Sequence, residues 1–123
     1  MNKKILFLAD ANSPHTIRWV KALLDSGYMV GVFCFYKIDI SLYSDFDNIK
    51  LYSLNISKDM QSTAEDNFSK IVYLKAVNKV KRIIKDFKPD IVHAHYASSY
   101  GLIGAFSGFH PFIISMWGSD VFV

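Results

Sequence analysis

Five short, largely apolar runs divide this chain: Lys4–Ala9, Tyr28–Tyr36, Ile49–Leu54, Asp90–His95 and Phe112–Met116. A strand that is apolar at successive positions, rather than at alternate ones, has both of its faces buried. Helices that cross over between parallel strands cover a sheet in that way. The pattern predicts an α/β fold, a Rossmann-like parallel sheet of order 3-2-1-4-5 between two layers of helix. At 123 residues there is room for a single domain, and a 51% hydrophobic composition supplies a core without staples. The lone Cys34 reads as a small core residue of a reducing compartment.

The segments between the runs carry their own stop and start signals. Ser13-Pro14 opens a helix, because serine accepts from an early backbone N–H and proline at the first helical position has no N–H to leave unpaired. Ile17, Val20 and Leu24 share one face of that helix, which runs to about Ser26 before Gly27 supplies a left-handed cap. Residues 37–48 have no period and read as a loop. A long helix from about Asp66 to Phe87 turns Ala76, Val80, Ile83, Ile84 and Phe87 inward, and Pro89 ends it through Lys88. Ser98 or Ser99 caps a third helix to about Gly108, whose Gly101, Gly104 and Gly108 suit close packing on the sheet.

Several classes are excluded. Asp10 interrupts the N-terminal apolar run too early for a secretion signal, and no segment approaches the roughly 20 apolar residues of a membrane span. The expected location is the cytoplasm. Net charge is +3, concentrated in Lys75, Lys79, Lys81, Arg82, Lys85 and Lys88. Without interleaved aromatic residues or a binding motif this does not read as a nucleic-acid surface. It reads as the solvated face of an amphipathic helix, with attraction to an anionic membrane as the sharper alternative.

Open parallel sheets bind ligands beyond the carboxyl ends of their strands, where the strand order reverses. In order 3-2-1-4-5 that crevice lies between strands one and four, and three loops can reach it. The first, Asp10–His15, lacks G-x-G-x-x-G, which argues against NAD or FAD; its helix N-terminus suits a phosphate, with Asn12, Ser13, His15 and Arg18 as candidate binding residues. The second holds His93-Ala94-His95-Tyr96. Both histidines point to one face, His93 reads as the deeper, and His95 at the strand end can contact a substrate hydroxyl. No clustered third ligand supports a metal. The third is Trp117-Gly118-Ser119-Asp120, where glycine admits close backbone approach, tryptophan offers a stacking face and Asp120 is a polar group just past a buried strand.

Three strings, S-P-H-T-I-R-W-V-K-A-L from Ser13, P-D-I-V-H-A-H-Y from Pro89 and W-G-S-D from Trp117, together resemble the N-terminal domain of family 4 retaining glycosyltransferases. Residues 37–75 contribute little to the resemblance. It implies a GT-B architecture of two Rossmann-like domains, the first holding the acceptor and the second the nucleotide-sugar. It further implies metal-independent, front-face transfer of a hexosyl unit in which the leaving phosphate helps to deprotonate the acceptor. In that scheme His95 and Asp120 contact the acceptor hydroxyl, and Asn12, Ser13, His15, Arg18, Tyr96, Trp117, Gly118 and Ser119 line the cleft. Nucleotide-sugar is a co-substrate, and no resident cofactor is expected. Bacterial relatives build surface polysaccharide on lipid-linked acceptors, which places the expected partner at the inner face of the plasma membrane.

The resemblance also implies that residues 1–123 are the first part of a longer enzyme, inactive alone. Phe112, Val121 and Phe122 are then expected in an exposed apolar patch that favours homo-oligomers through the edge strand. The family pattern differs here at Asn12-Ser13, where many members have Gly-Gly, and at Trp117, where many have histidine. Two other readings compete: half of a nucleotide-sugar epimerase, and a flavodoxin-like regulatory or binding module. The second of these is disfavoured because a receiver domain wants paired acids after strand one and a lysine after strand five.

Overall fold

The computed structural model describes residues 3–56, 65–95 and 100–115. Its strands are β1 (Lys4–Leu8), β2 (Met29–Tyr36), β3 (Ile49–Ile56), β4 (Ile91–His95) and β5 (Phe112–Ser115); its helices are α1 (Pro14–Asp25), α2 (Glu65–Phe87) and α3 (Tyr100–Ser107). The strands form one sheet in the order β3-β2-β1-β4-β5, and every neighbouring pair is parallel. The Rossmann-like arrangement expected from the apolar runs is the one observed.

Strand alternation divides the core into two layers. Ile5 and Phe7 of β1, with Val30, Val32 and Cys34 of β2, pack with Val20 of α1 on one face of the sheet. Leu6 and Leu8, with Phe33 and Phe35, pack with Ala76, Val80, Ile83 and Phe87 of α2 and Ile103 of α3 on the other. Both faces of the central strands are therefore dry, which is why their sequence is apolar without alternation. Ser13 caps α1 by accepting from the His15 N–H, Pro14 takes the first turn, and Gly27 follows the helix at φ 91°. No helix of the described residues is long and apolar enough to cross a membrane.

Four details depart from the sequence reading. Residues 37–48 are not all loop: Asp39 caps a 3-10 turn, Ile40–Tyr43, by accepting from the Ser41 N–H, and Tyr43 is buried in the α1 layer. β3 continues past Leu54 to Ile56, and its register against β2 shifts between Cys34 and Tyr36. Gly108 follows α3 at φ 74°, so it serves as a left-handed turn residue rather than a packing contact. Finally, Phe112 packs inward against the α2–α3 layer, while Ile113 and Ile114, 47% and 41% exposed, are the apolar side chains that β5 presents. Val121 and Phe122 lie outside the described residues.

Gly104 is where α3 meets the sheet, because a Cβ built there collides with the Phe112 ring and presses on Leu8. Gly104→Ala is expected to destabilise the fold by about 1–3 kcal/mol through overpacking, although alanine is the better helix former. Urea titration of Gly104→Ala, Phe112→Leu and the double variant measures this. The second substitution should relieve the first, and additive losses would contradict the contact.

Candidate functional site

The chain runs β1-β2-β3 toward one edge of the sheet and β4-β5 toward the other, so the order reverses between β1 and β4. The crevice predicted from the sequence is thereby located at the carboxyl ends of Leu8 and His95. Its first wall is the β1–α1 loop, which is stiffly built. The Asp10 carboxylate accepts from the Asn12 N–H at 3.0 Å, and the Asp10 carbonyl accepts from the Ser13 N–H at 3.1 Å. Tyr43 donates its hydroxyl proton to the Ala11 carbonyl.

The Asn12 amide reaches across to the chain beyond β2. Its Nδ2 donates to the Lys37 carbonyl at 3.0 Å, and its Oδ1 accepts from the Asp39 N–H at 2.8 Å. Asn12 thus ties two crevice loops together, and its amide is engaged within the chain rather than offered to a ligand. Beside this staple lies an open groove of about 490 Å³ lined by Asn12, Lys37, Ile38, Asp39, Ile40 and Ser41. Sequence reasoning passed over this segment, since only the Asp39-Ile40-Ser41 capping pattern hinted at ordered structure there.

Deeper in the crevice four rings meet. Phe7 of β1, Trp19 of α1 and His93 and His95 of β4 have centroids between 5.1 and 6.3 Å apart. β4 turns both imidazoles to the α1 face, as the two-residue spacing requires. The expected depths are reversed, however: His95 is 1% exposed and His93 8%. Position along the strand predicted the opposite, but Phe7 of β1 and Trp19 of α1 pack on both imidazoles, so the strand end is covered as well. Trp19, missed by the sequence reading, belongs to this cluster; it follows His15 by four residues, one helical turn along α1.

Burial controls the charge of these groups. Desolvation, with contributions from His93 and His15, lowers the His95 imidazole to about 4. Desolvation also lowers His93. Both rings are neutral at pH 7, and a neutral imidazole can donate at one nitrogen and accept at the other. His15 is exposed in the first turn of α1, yet close enough for its charge to act on His95. The structure therefore brings Ser13, His15 and His95 to one crevice. Arg18 is exposed one turn further on.

A second cluster fastens the crevice from beneath. Tyr100, at the start of α3, accepts from the Phe35 N–H at 3.2 Å and donates to Cys34 Sγ at 3.7 Å. Cys34 Sγ lies 4.0 Å from Asp10 Oδ1. Burial pushes the Tyr100 hydroxyl far up, so it stays protonated. Tyr96, Trp117, Gly118, Ser119 and Asp120 lie outside the described residues. Among the described residues no three His, Cys, Asp or Glu side chains gather as a metal site requires.

Comparisons with known proteins agree with this geometry. A family model described as "Glycosyl transferase 4-like" matches residues 4–123. Among solved structures, Acinetobacter baumannii MurG superimposes over 93% of this chain with a TM-score of 0.64 at 21% identity, and a UDP-N-acetylglucosamine 2-epimerase over 94% with a TM-score of 0.57 at 21% identity. This chain spans only 35% and 33% of those two. The C-terminal domain of a Pyrococcus furiosus hydrogenase is similar as well, with a TM-score of 0.62 at 12% identity, covering 93% of this chain and 89% of that domain. These likenesses establish the fold alone. No curated protein matches.

The depressed His95 pKa has a consequence for stability. An unfolded histidine binds its proton near pH 6.5 and the folded one only near pH 4, so acid in that window favours the unfolded chain. Stability is therefore present in full above pH 6.5 and falls as pH falls toward 4, by about 3 kcal/mol from this group. Urea midpoints measured across that window should show a shallower pH slope in His95→Gln. Parallel slopes would mean that His95 is not held neutral by the fold.

Proposed function

The chain belongs to the glycosyl transferase 4-like family, and from that membership we propose that it forms the acceptor-side half of a retaining glycosyltransferase. The observation that carries the reading is the meeting of His15 and the buried, neutral His95 at the carboxyl ends of β1 and β4. Such a crevice is where a parallel α/β sheet places its ligand.

In this reading a sugar hydroxyl of the acceptor enters between the capped start of α1 and the end of β4. His15 stands at the rim. His95, one layer below, offers a neutral nitrogen that can accept the hydroxyl's hydrogen bond and orient its oxygen. With its pKa near 4 it is a weak base, so its part is positioning and polarisation rather than complete proton removal. The groove beside Asn12 mixes Ile38 and Ile40 with Lys37, Asp39 and Ser41, a lining suited to the apolar and hydroxyl faces of a sugar ring. Tyr96, Trp117, Gly118, Ser119 and Asp120 follow the ends of β4 and β5 in sequence, and the proposal assigns them to the same lining, with Asp120 as a second hydroxyl contact.

Transfer from a nucleotide-sugar, with the departing phosphate taking the acceptor proton, is assigned to a complete two-domain enzyme. A glycan or lipid-linked acceptor and a cytoplasmic setting complete the proposal. The structures of MurG and the epimerase, about three times the length of this chain, support it only through their fold.

Two measurements test the reading. Calorimetry of residues 1–123 with UDP and GDP should give dissociation constants no tighter than roughly millimolar, about 4 kcal/mol of binding, because the donor belongs on the other domain. A micromolar constant for either nucleotide would put the donor site in this half. In the complete enzyme, His95→Gln should lower turnover at least tenfold, equivalent to about 1.4 kcal/mol. Unchanged turnover would remove His95 from the acceptor site.

A further inference from the structure

α2 covers the face of the sheet opposite α1, and its outer side faces away from the core. At 100° per residue, Ile71, Leu74, Lys75, Lys81, Arg82 and Lys85 all fall within an arc of about 120°, directly opposite the buried Ala76, Val80, Ile83 and Phe87. All six are exposed, Ile71 by 55% and Leu74 by 65%. Asn78, also on the arc, is neutral; the nearest acid, Asp86, lies beyond its edge. The arc thus holds two large aliphatic side chains toward the start of the helix and four cations spread over about 15 Å, with no negative charge among them.

We infer that this outer face of α2 docks on an anionic lipid bilayer. Charge complementarity selects the occupant. A second copy of the same face would bring four cations against four, so the arc does not suit self-pairing. A nucleic acid would use the cations but leave Ile71 and Leu74 in water. A bilayer with anionic headgroups accepts both kinds of group, the aliphatic side chains entering the boundary between headgroups and acyl chains while the long basic side chains reach the phosphates. Lys and Arg near such a surface each contribute about 1 kcal/mol, which is about fivefold in partitioning. The inference rests on the helix alone and is independent of what the crevice binds.

The test is co-sedimentation of the protein with vesicles of phosphatidylcholine alone and of phosphatidylcholine mixed with phosphatidylglycerol, at low and high salt. The protein should pellet with the mixed vesicles at low salt and much less with the neutral ones. Lys81→Glu/Lys85→Glu should reduce that partitioning by at least about 25-fold. Ile71→Ser/Leu74→Ser should reduce it several-fold while preserving its salt dependence. All four positions are exposed, so circular dichroism should show both variants folded. Equal binding to neutral and mixed vesicles overturns the inference. So does unchanged binding of the Ile71/Leu74 variant, which would mark a purely electrostatic surface of the kind that takes any polyanion.

Discussion

β1 is paired on both edges and packed on both faces, and the rest of the molecule is arranged around that double constraint. Its residues pair in parallel with β2 on one side and β4 on the other, and Leu6, Phe7 and Leu8 are all fully buried. No water reaches these positions, so each side chain must be apolar and each backbone group must find a strand partner. Phe7 commits the α1 layer and Leu6 and Leu8 the α2–α3 layer. Because β1 joins the two halves of the sheet, its carboxyl end is the one place where consecutive crossovers diverge and leave a crevice.

What fills the base of that crevice follows from the same packing. Phe7 presents a ring to the α1 face, and His93 and His95, on the neighbouring β4, press theirs against it under Trp19. An imidazole placed there gives up hydration in either protonation state and can afford charge least of all. Neutrality is thus a product of packing, reinforced by His93 and His15. The loop above is held by contacts that are distant in sequence: Asn12 to Lys37 and Asp39, Tyr43 to Ala11, and the Tyr100–Cys34–Asp10 chain. Those contacts fix the backbone groups of the loop in advance, the condition under which electrostatic positioning is effective.

The features legible in the sequence were those with local causes. Continuous apolar runs marked strands buried on both faces, Ser13-Pro14 and Gly27 bounded α1, and Lys88-Pro89 closed α2. The crevice followed from strand order, and His15 and His95 from their places beside it. Features with long-range causes were not legible. Asn12 read as a ligand contact because its partners, Lys37 and Asp39, lie 25 and 27 residues away. His95 read as shallower than His93 because strand position says nothing of what covers the strand end. Phe112 read as exposed because its partner, the bare backbone of Gly104, is recognisable only once α3 is laid on the sheet.

The claim on which the functional account turns is that His95 is a neutral imidazole held in one electrostatic field with His15. Nitrogen-15 spectra of the histidine rings, recorded from pH 7 to pH 3.5 on the protein and on His15→Gln, measure this directly. The account predicts that His95 titrates at about 4 and that its pKa rises when the His15 charge is removed. A His95 that titrates near 6.5, or one indifferent to the loss of His15, would contradict it.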